Sequence, residues 1–205
     1  MNIELNNVTK KYDNKVIFNS LSFTFKENEI TCIMGASGIG KTTLARMITG
    51  LTTYEGNITK VDKISYIFQE DRLIPSLTIY QNLEYVIKGI YKDKEKRKEI
   101  ITNMLTKMEL DEYAHYYPNE LSGGMAQRVS IARAFIYPSD LLIMDEPFKQ
   151  MDTELKDKII NEFLLLFKEN KRTVIYITHN LEEAKKITKN IYVIENESTI
   201  KERKI

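Results

Sequence analysis

Hydrophobic and polar positions divide the chain into stretches of two periods. Leu21, Phe23 and Phe25 alternate with Ser22, Thr24 and Lys26, the pattern of a strand buried on one face. Ile3, Leu5 and Asn7 set against Glu4, Asn6 and Val8 give the same signal more raggedly. Together they predict an antiparallel β layer at the N-terminal end. Short apolar runs follow at 30–34, 64–68, 141–144 and 173–178, each of a length for a strand buried on both faces. Residues 190–195 and 198–202 predict two last strands. Helical signals lie between these runs. Residues 43–49 predict a helix, with Gly50 as its stop and Gly56 at the next turn. Thr78-Ile79-Tyr80-Gln81 has capping-box spacing, and Ile100, Ile101, Met104, Leu105 and Met108 share one face of a second helix whose other face is charged. Ser122 predicts the cap of a helix running through Val129, Ala132 and Phe135. Asp152 predicts the cap of another, whose Leu155, Ile159, Phe163 and Leu166 face a sheet, and Asn180 with Glu183 gives a cap-like start to a third. From Glu70 to about Tyr117 there is no strand candidate, which predicts a helical insertion in an otherwise α/β chain.

Length and charge narrow this picture. The 205 residues suit one domain with a subdomain: residues 1–70 and 138–205 as the core with its β layer, 71–137 as the helical part. A net charge of +1 supplies no basic field, so nucleic acid is not an expected partner. A single cysteine, Cys32, excludes an internal disulfide framework, fits a reducing compartment and reads as a small buried hydrophobe. The first residues carry no basic segment followed by an apolar run, and no window approaches about 18 consecutive apolar residues. The expectation is a soluble intracellular protein whose membrane role, if any, comes through a partner.

Candidate chemistry concentrates at strand ends. Gly35-Ala36-Ser37-Gly38-Ile39-Gly40-Lys41-Thr42-Thr43 fits the phosphate-cradling pattern G-x-x-x-x-G-K-[ST], between a predicted strand and a predicted helix. Backbone N–H groups of such a loop, and the positive end of the helix behind it, meet a triphosphate without side chains in the way. Lys41 adds a full charge there, Thr42 offers a hydroxyl to Mg²⁺, and Thr43 can reach the α-phosphate. Leu121-Ser122-Gly123-Gly124-Met125-Ala126-Gln127-Arg128 leaves a second helix start bare, a second anion site. One nucleotide does not need two such sites from one chain, which points Ser122 at the nucleotide of another copy. Asp145 and Glu146 end an apolar strand. The first suits Mg²⁺, often through water, and the second stands where it can polarise a water for attack on the γ-phosphate. Gln69, at the end of another strand, can reach Mg²⁺ or that water, or is a solvated loop residue. His179 can hydrogen-bond the γ-phosphate and so report its presence. Tyr12, in the turn after the first strand, can stack on adenine or simply cover a sheet edge. His115, among tyrosines of the helical insertion, reads as surface or core.

In this order the phosphate loop, Gln69, Leu121-Ser122-Gly123-Gly124, the strand to Asp145-Glu146, Asp152 and His179 resemble the ATP-binding subunit of an ABC transporter over nearly the whole chain. The resemblance implies an ABC-type P-loop NTPase fold with a RecA-like core sheet, and a Mg²⁺-dependent ATP hydrolase with ATP and Mg²⁺ as its ligands. It gives Tyr12 the adenine, residues 35–43 the phosphates, and Thr42, Gln69 and Asp145 the metal. Glu146, His179, Gln69 and Lys41 become catalytic. Ser122, Gly123, Gly124, Gln127 and Asp152 join the nucleotide site of a head-to-tail dimer. The implied partners are a second copy, transmembrane permease subunits and, indirectly, an extracellular solute-binding protein, at the cytoplasmic face of the membrane.

Phe68-Gln69-Glu70-Asp71-Arg72-Leu73-Ile74-Pro75, Met125 and Glu146-Pro147-Phe148 resemble importers of the nitrate, sulfonate, taurine and thiamine-precursor type. The alternatives are an export-type ABC ATPase, whose relatives share a Leu-Ile-Pro-Ser-Leu-Thr segment but usually carry Glu-Pro-Thr, and a soluble ABC-type ATPase not tied to transport. One departure stands out. After Glu-Pro-Phe the family usually has Gly-Ala-Leu-Asp, and here it is Lys149-Gln150-Met151-Asp152, which predicts a looser approach to the partner subunit.

Overall fold

The computed structural model describes residues 1–149 and 151–203. Two compact units divide the chain, one of residues 1–66, 139–146 and 170 onward, the other of residues 67–138 and 147–169.

The first unit holds two sheets. Strands β1 (Ile3–Tyr12), β2 (Lys15–Phe25) and β4 (Glu55–Ile58) form an antiparallel layer in the order β2-β1-β4. β1 and β2 make a hairpin about Asp13-Asn14, with Tyr12 paired to Lys15, so Tyr12 closes the strand rather than lying in a turn. β4 was not expected as a strand, because its residues are short, polar and largely exposed, as befits an edge. Gly56 sits within it, not in a turn. Its φ of 93° and the carbonyl oxygen of Asn7, 2.4 Å from where a Cβ would stand, leave room for glycine alone where β1 bulges.

The second sheet has six strands, β3 (Ile30–Met34), β5 (Ile64–Ile67), β6 (Leu141–Asp145), β7 (Thr173–Ile177), β8 (Ile191–Asn196) and β9 (Thr199–Glu202), in the order β5-β6-β7-β3-β8-β9. β3 pairs in parallel with both β7 and β8, β6 pairs in parallel with β7, and β8 returns through an antiparallel hairpin to β9. β3, β6 and β7 are buried throughout, which is why they read as unbroken apolar runs. Helix α1 (Lys41–Ile48) contributes Leu44, Ala45, Met47 and Ile48 to a core shared with Leu5, Phe18, Phe25, Ile33, Ile143 and Ile177. α1 ends as expected at Gly50: its N–H reaches Met47 O and that of Leu51 reaches Arg46 O, at 3.1 and 2.8 Å. Helix α6 (Leu181–Ile187) joins β7 to β8.

The second unit is helical, with α2 (Ile79–Ile87), α3 (Lys94–Lys107), α4 (Gly123–Ile136) and α5 (Thr153–Glu169). The capping box at α2 is made in both directions: Gln81 N–H donates to Thr78 Oγ1, and Thr78 N–H to Gln81 Oε1. α3 buries Ile101, Met104 and Leu105, as its spacing predicts. In α5, Ile159 and Phe163 are buried, as its spacing predicts; Phe163 stacks on Phe135 of α4, with ring centroids 5.5 Å apart, and Lys107 of α3 pairs with Glu162. No helix among the described residues is long and apolar enough to cross a membrane.

Candidate functional site

Parallel pairing sets the site at one end of the sheet. Ile33 lies opposite Ile177, and Ile177 opposite Asp145, so the ends of β3, β7 and β6 stand side by side. Gly35, Thr178-His179 and Asp145-Glu146 therefore emerge together. This is the edge where parallel sheets hold ligands.

The loop from Gly35 delivers α1 without a side-chain cap: Gly40 precedes the helix at φ 116°, and the first N–H groups of α1 have no intrahelical acceptor. Glycine is required at this position twice over. A Cβ there would stand 2.7 Å from Ile17 Cγ2 and 2.9 Å from Phe18 Cζ, and the φ itself disfavours any other residue. Lys41 is buried and its Nζ donates to Gly35 O and Ala36 O, both at 2.9 Å. An ammonium has three N–H donors, so one remains to meet an anion while two hold the charge over the loop.

Thr42 Oγ1 donates to Asp145 Oδ2 at 2.7 Å, and Tyr66 OH approaches the same oxygen at 3.4 Å. Asp145 is buried, and burial pushes its carboxyl pKa up; the neighbouring Glu146 adds to this, while the bond from Thr42 opposes it. A buried carboxylate beside a hydroxyl, next to a basic loop, is the hard-oxygen donor set that suits Mg²⁺ together with phosphate oxygens. Among the described residues no group of three or more His, Cys, Asp or Glu is placed to hold a metal. The residues present fit a cation whose other ligands come from a nucleotide.

Glu146 follows with φ 49°, a left-handed backbone rare outside glycine, and donates its N–H to Ile177 O at 2.9 Å. Its Oε1 lies 3.0 Å from His179 Nδ1, with Glu146 mostly covered and the imidazole largely exposed. Strain of this kind concentrates at functional positions.

Tyr12 is 41% exposed, and Lys10 Nζ lies 4.4 Å from its ring centroid while donating to Thr53 O. A hydrogen bond with Thr52 is the main cause of its lowered phenol pKa.

The remaining candidates belong to the helical unit. Gln69 is exposed just beyond β5. Ser122 and Gly123 are exposed, and Ser122 Oγ caps α4 by accepting from Met125 N–H at 3.3 Å. Asp152 caps α5, its Oδ1 accepting from Leu155 N–H at 3.0 Å. Gln127, expected at the nucleotide, is 3% exposed and donates its amide to Pro147 O at 2.9 Å, which ties α4 to the loop beyond β6. Lys149 lies within the described residues and Gln150 outside them.

Sequence reasoning missed Tyr66 on Asp145, Lys10 beneath Tyr12, and the inward turn of Glu183. Asn180 does cap α6, accepting from Glu183 N–H at 3.1 Å. The Glu183 side chain accepts from the Tyr176 and Thr178 hydroxyls, and Asn180 N–H goes to Thr178 Oγ1.

The sequence profile of ABC transporters matches residues 18–149. The chain belongs to the ABC transporter family. The formylaminopyrimidine import ATP-binding protein of Halalkalibacterium halodurans is 36% identical over 88% of this chain and 74% of its own length. The Fe(3+) ions import ATP-binding protein of Fusobacterium nucleatum is 35% identical over 96% of this chain. This chain spans 55–58% of the length of the iron, spermidine/putrescine and betaine/carnitine/choline relatives it matches. A dimeric bacterial ABC transporter cassette superposes with a TM-score of 0.87 at 29% identity, covering 98% of each chain. The same cassette, in a dimeric post-hydrolysis state with ADP and Pi, superposes equally well. These solved ABC cassettes carry the fold expected from the sequence.

Proposed function

We propose that this chain is the ATP-hydrolysing subunit of an ABC importer for a small solute, acting as a dimer at the cytoplasmic face of a membrane through permease subunits. The observation that carries the reading is the row of strand ends where Lys41, the Thr42–Asp145 hydrogen bond and the Glu146–His179 contact converge. Lys41 and the first turn of α1 bind the β- and γ-phosphates. Thr42 and Asp145 hold Mg²⁺, which when bound neutralises phosphate charge. Glu146 accepts a proton from the water that attacks the γ-phosphorus, and the departing group is ADP. His179 donates to the γ-phosphate, oriented through Nδ1 by Glu146. Tyr12 stacks on adenine.

In the helical unit, Gln69 would couple metal and water to the permease. Ser122 and Gly124 would meet the γ-phosphate held by the second copy. These roles rest on the family resemblance.

The relatives named for import of iron, spermidine/putrescine and formylaminopyrimidine and for transport of glycine betaine, carnitine and choline support the importer branch. Within it we favour the nitrate, sulfonate, taurine and thiamine-precursor group on Glu146-Pro147-Phe148 and Met125, with a solute-binding protein supplying the substrate. The test is Glu146→Gln: MgATP binding is retained and turnover falls about 10²- to 10⁴-fold, the share a positioned base contributes. Near-parental turnover overturns the assignment. Co-purification of a polytopic permease with the tagged chain from native membranes tests the transport reading; recovery of ribosomes or only soluble proteins overturns it.

A further inference from the structure

The turn that carries His179 is fastened on both sides by side chains that the site chemistry does not use. Tyr176 and Thr178 lie two residues apart at the end of β7 and both donate to Glu183 Oε1, Thr178 Oγ1 at 2.9 Å. Thr178 Oγ1 in turn accepts from Asn180 N–H at 3.1 Å, and Asn180 Oδ1 accepts from Glu183 N–H at 3.1 Å. His179 is exposed and lies between two pinned neighbours, Thr178 and Asn180. Glu183 is 7% exposed and Tyr176 fully buried, so solvent does not compete for the two bonds to the Glu183 side chain. Burial and the glutamate together hold the Tyr176 phenol well above its ordinary pKa, so it remains a donor.

A glutamate at this helix position has a cheaper use, closing the capping box onto Asn180 N–H. Here it turns inward, and Thr178 takes that N–H instead. The arrangement sacrifices a solvent-exposed cap for a buried carboxylate. A buried carboxylate is costly unless it is fully hydrogen-bonded, so its placement under a catalytic turn calls for a reason.

We propose that Glu183, with Tyr176 and Thr178, is a positioning network that sets where the His179 imidazole points. The inference rests on the reading of His179 as a γ-phosphate donor. Glu183 touches no substrate in this scheme and acts only through the histidine.

Glu183→Gln offers one carbonyl oxygen in place of a carboxylate, which weakens acceptance from the two hydroxyls. Tyr176→Phe removes one donor while keeping the ring, and serves where the first variant folds poorly. Each is expected to lower kcat for MgATP about tenfold, with MgATP affinity unchanged. In a His179→Ala background the same substitutions should cost nothing further, since two residues acting through one route are not additive. Equal fold losses in both backgrounds, or an unchanged kcat, overturn the proposal.

A second readout does not depend on hydrolysis. The chain has two histidines, so imidazole ¹⁵N resonances are assigned by comparison with His179→Ala. Both variants should move the His179 signals and leave those of His115 in place. Should the parent chain prove inactive, the functional reading falls, and the imidazole signals alone decide the network. Unmoved His179 resonances sink it.

Discussion

Gly40 and Cys32 show how single residues of the first unit are constrained by burial. At Gly40 both the backbone angle and the contacts with Ile17 and Phe18 oppose a side chain. Gly40→Ala should lower stability by about 1–3 kcal/mol and weaken MgATP binding, measured by thermal melting and nucleotide titration. Cys32, in the middle of β3, is fully buried, and desolvation pushes its thiol up to about 12. The folded state holds that proton more tightly than the unfolded chain does. The stability this contributes is complete below the unfolded thiol pKa near 9 and is lost as pH rises from there toward about 12. Cys32→Ala should therefore flatten the alkaline limb of a stability–pH curve relative to the parent. Thiol reagents at pH 8 should label native protein far more slowly than denatured protein.

Among the elements, α2 is fixed by a cluster of side-chain hydrogen bonds. Asn82 is fully buried one turn into the helix; its Oδ1 accepts from Ile74 N–H, and its Nδ2 donates to the carbonyls of Ile74, Leu77 and Thr78. This one amide ties the end of the segment leading from Gln69 to the first turn of α2. Asn82→Ala should cost about 2–3 kcal/mol in denaturant unfolding, because the Ile74 amide loses its acceptor, and hydrogen exchange at Ile74 should quicken. Thr78→Ala removes one half of a completed capping box and should cost about 1 kcal/mol. Asn82 lies inside a helical pattern, where an asparagine reads only as a weak helix former. Nothing in its spacing announces four backbone partners.

At the scale of the whole molecule, a prediction concerns how two copies meet. The related cassettes are dimers in their solved forms. Lys149 and Gln150 stand where the family usually has Gly-Ala, and larger side chains there should hold a partner's surface farther off. Replacing the pair by Gly-Ala in a Glu146→Gln background should raise the ATP-dependent dimer fraction in sedimentation. An unchanged fraction would rule out this role for the loop.

What the sequence determined by itself was local: strand and helix periods, the capping box at Thr78, the caps at Ser122 and Asp152, and a phosphate loop between strand and helix. Each depends on residues a few positions apart, and such bonds form wherever the segment lies. The family followed from the order of those motifs. The site itself required the sheet order β5-β6-β7-β3-β8-β9, which no spacing encodes. That order brings Thr42 to Asp145 across 103 positions and His179 to Glu146 across 33. Long-range pairing also explains what spacing left unread. Gly56 reads as a turn until β1 bulges against it, and the Glu183 side chain points inward because Tyr176 and Thr178 present two hydroxyls. At Glu183 a carboxylate takes two buried hydroxyls over a solvated cap, because an unpaired donor or acceptor inside the fold costs more than a cap at its surface gains.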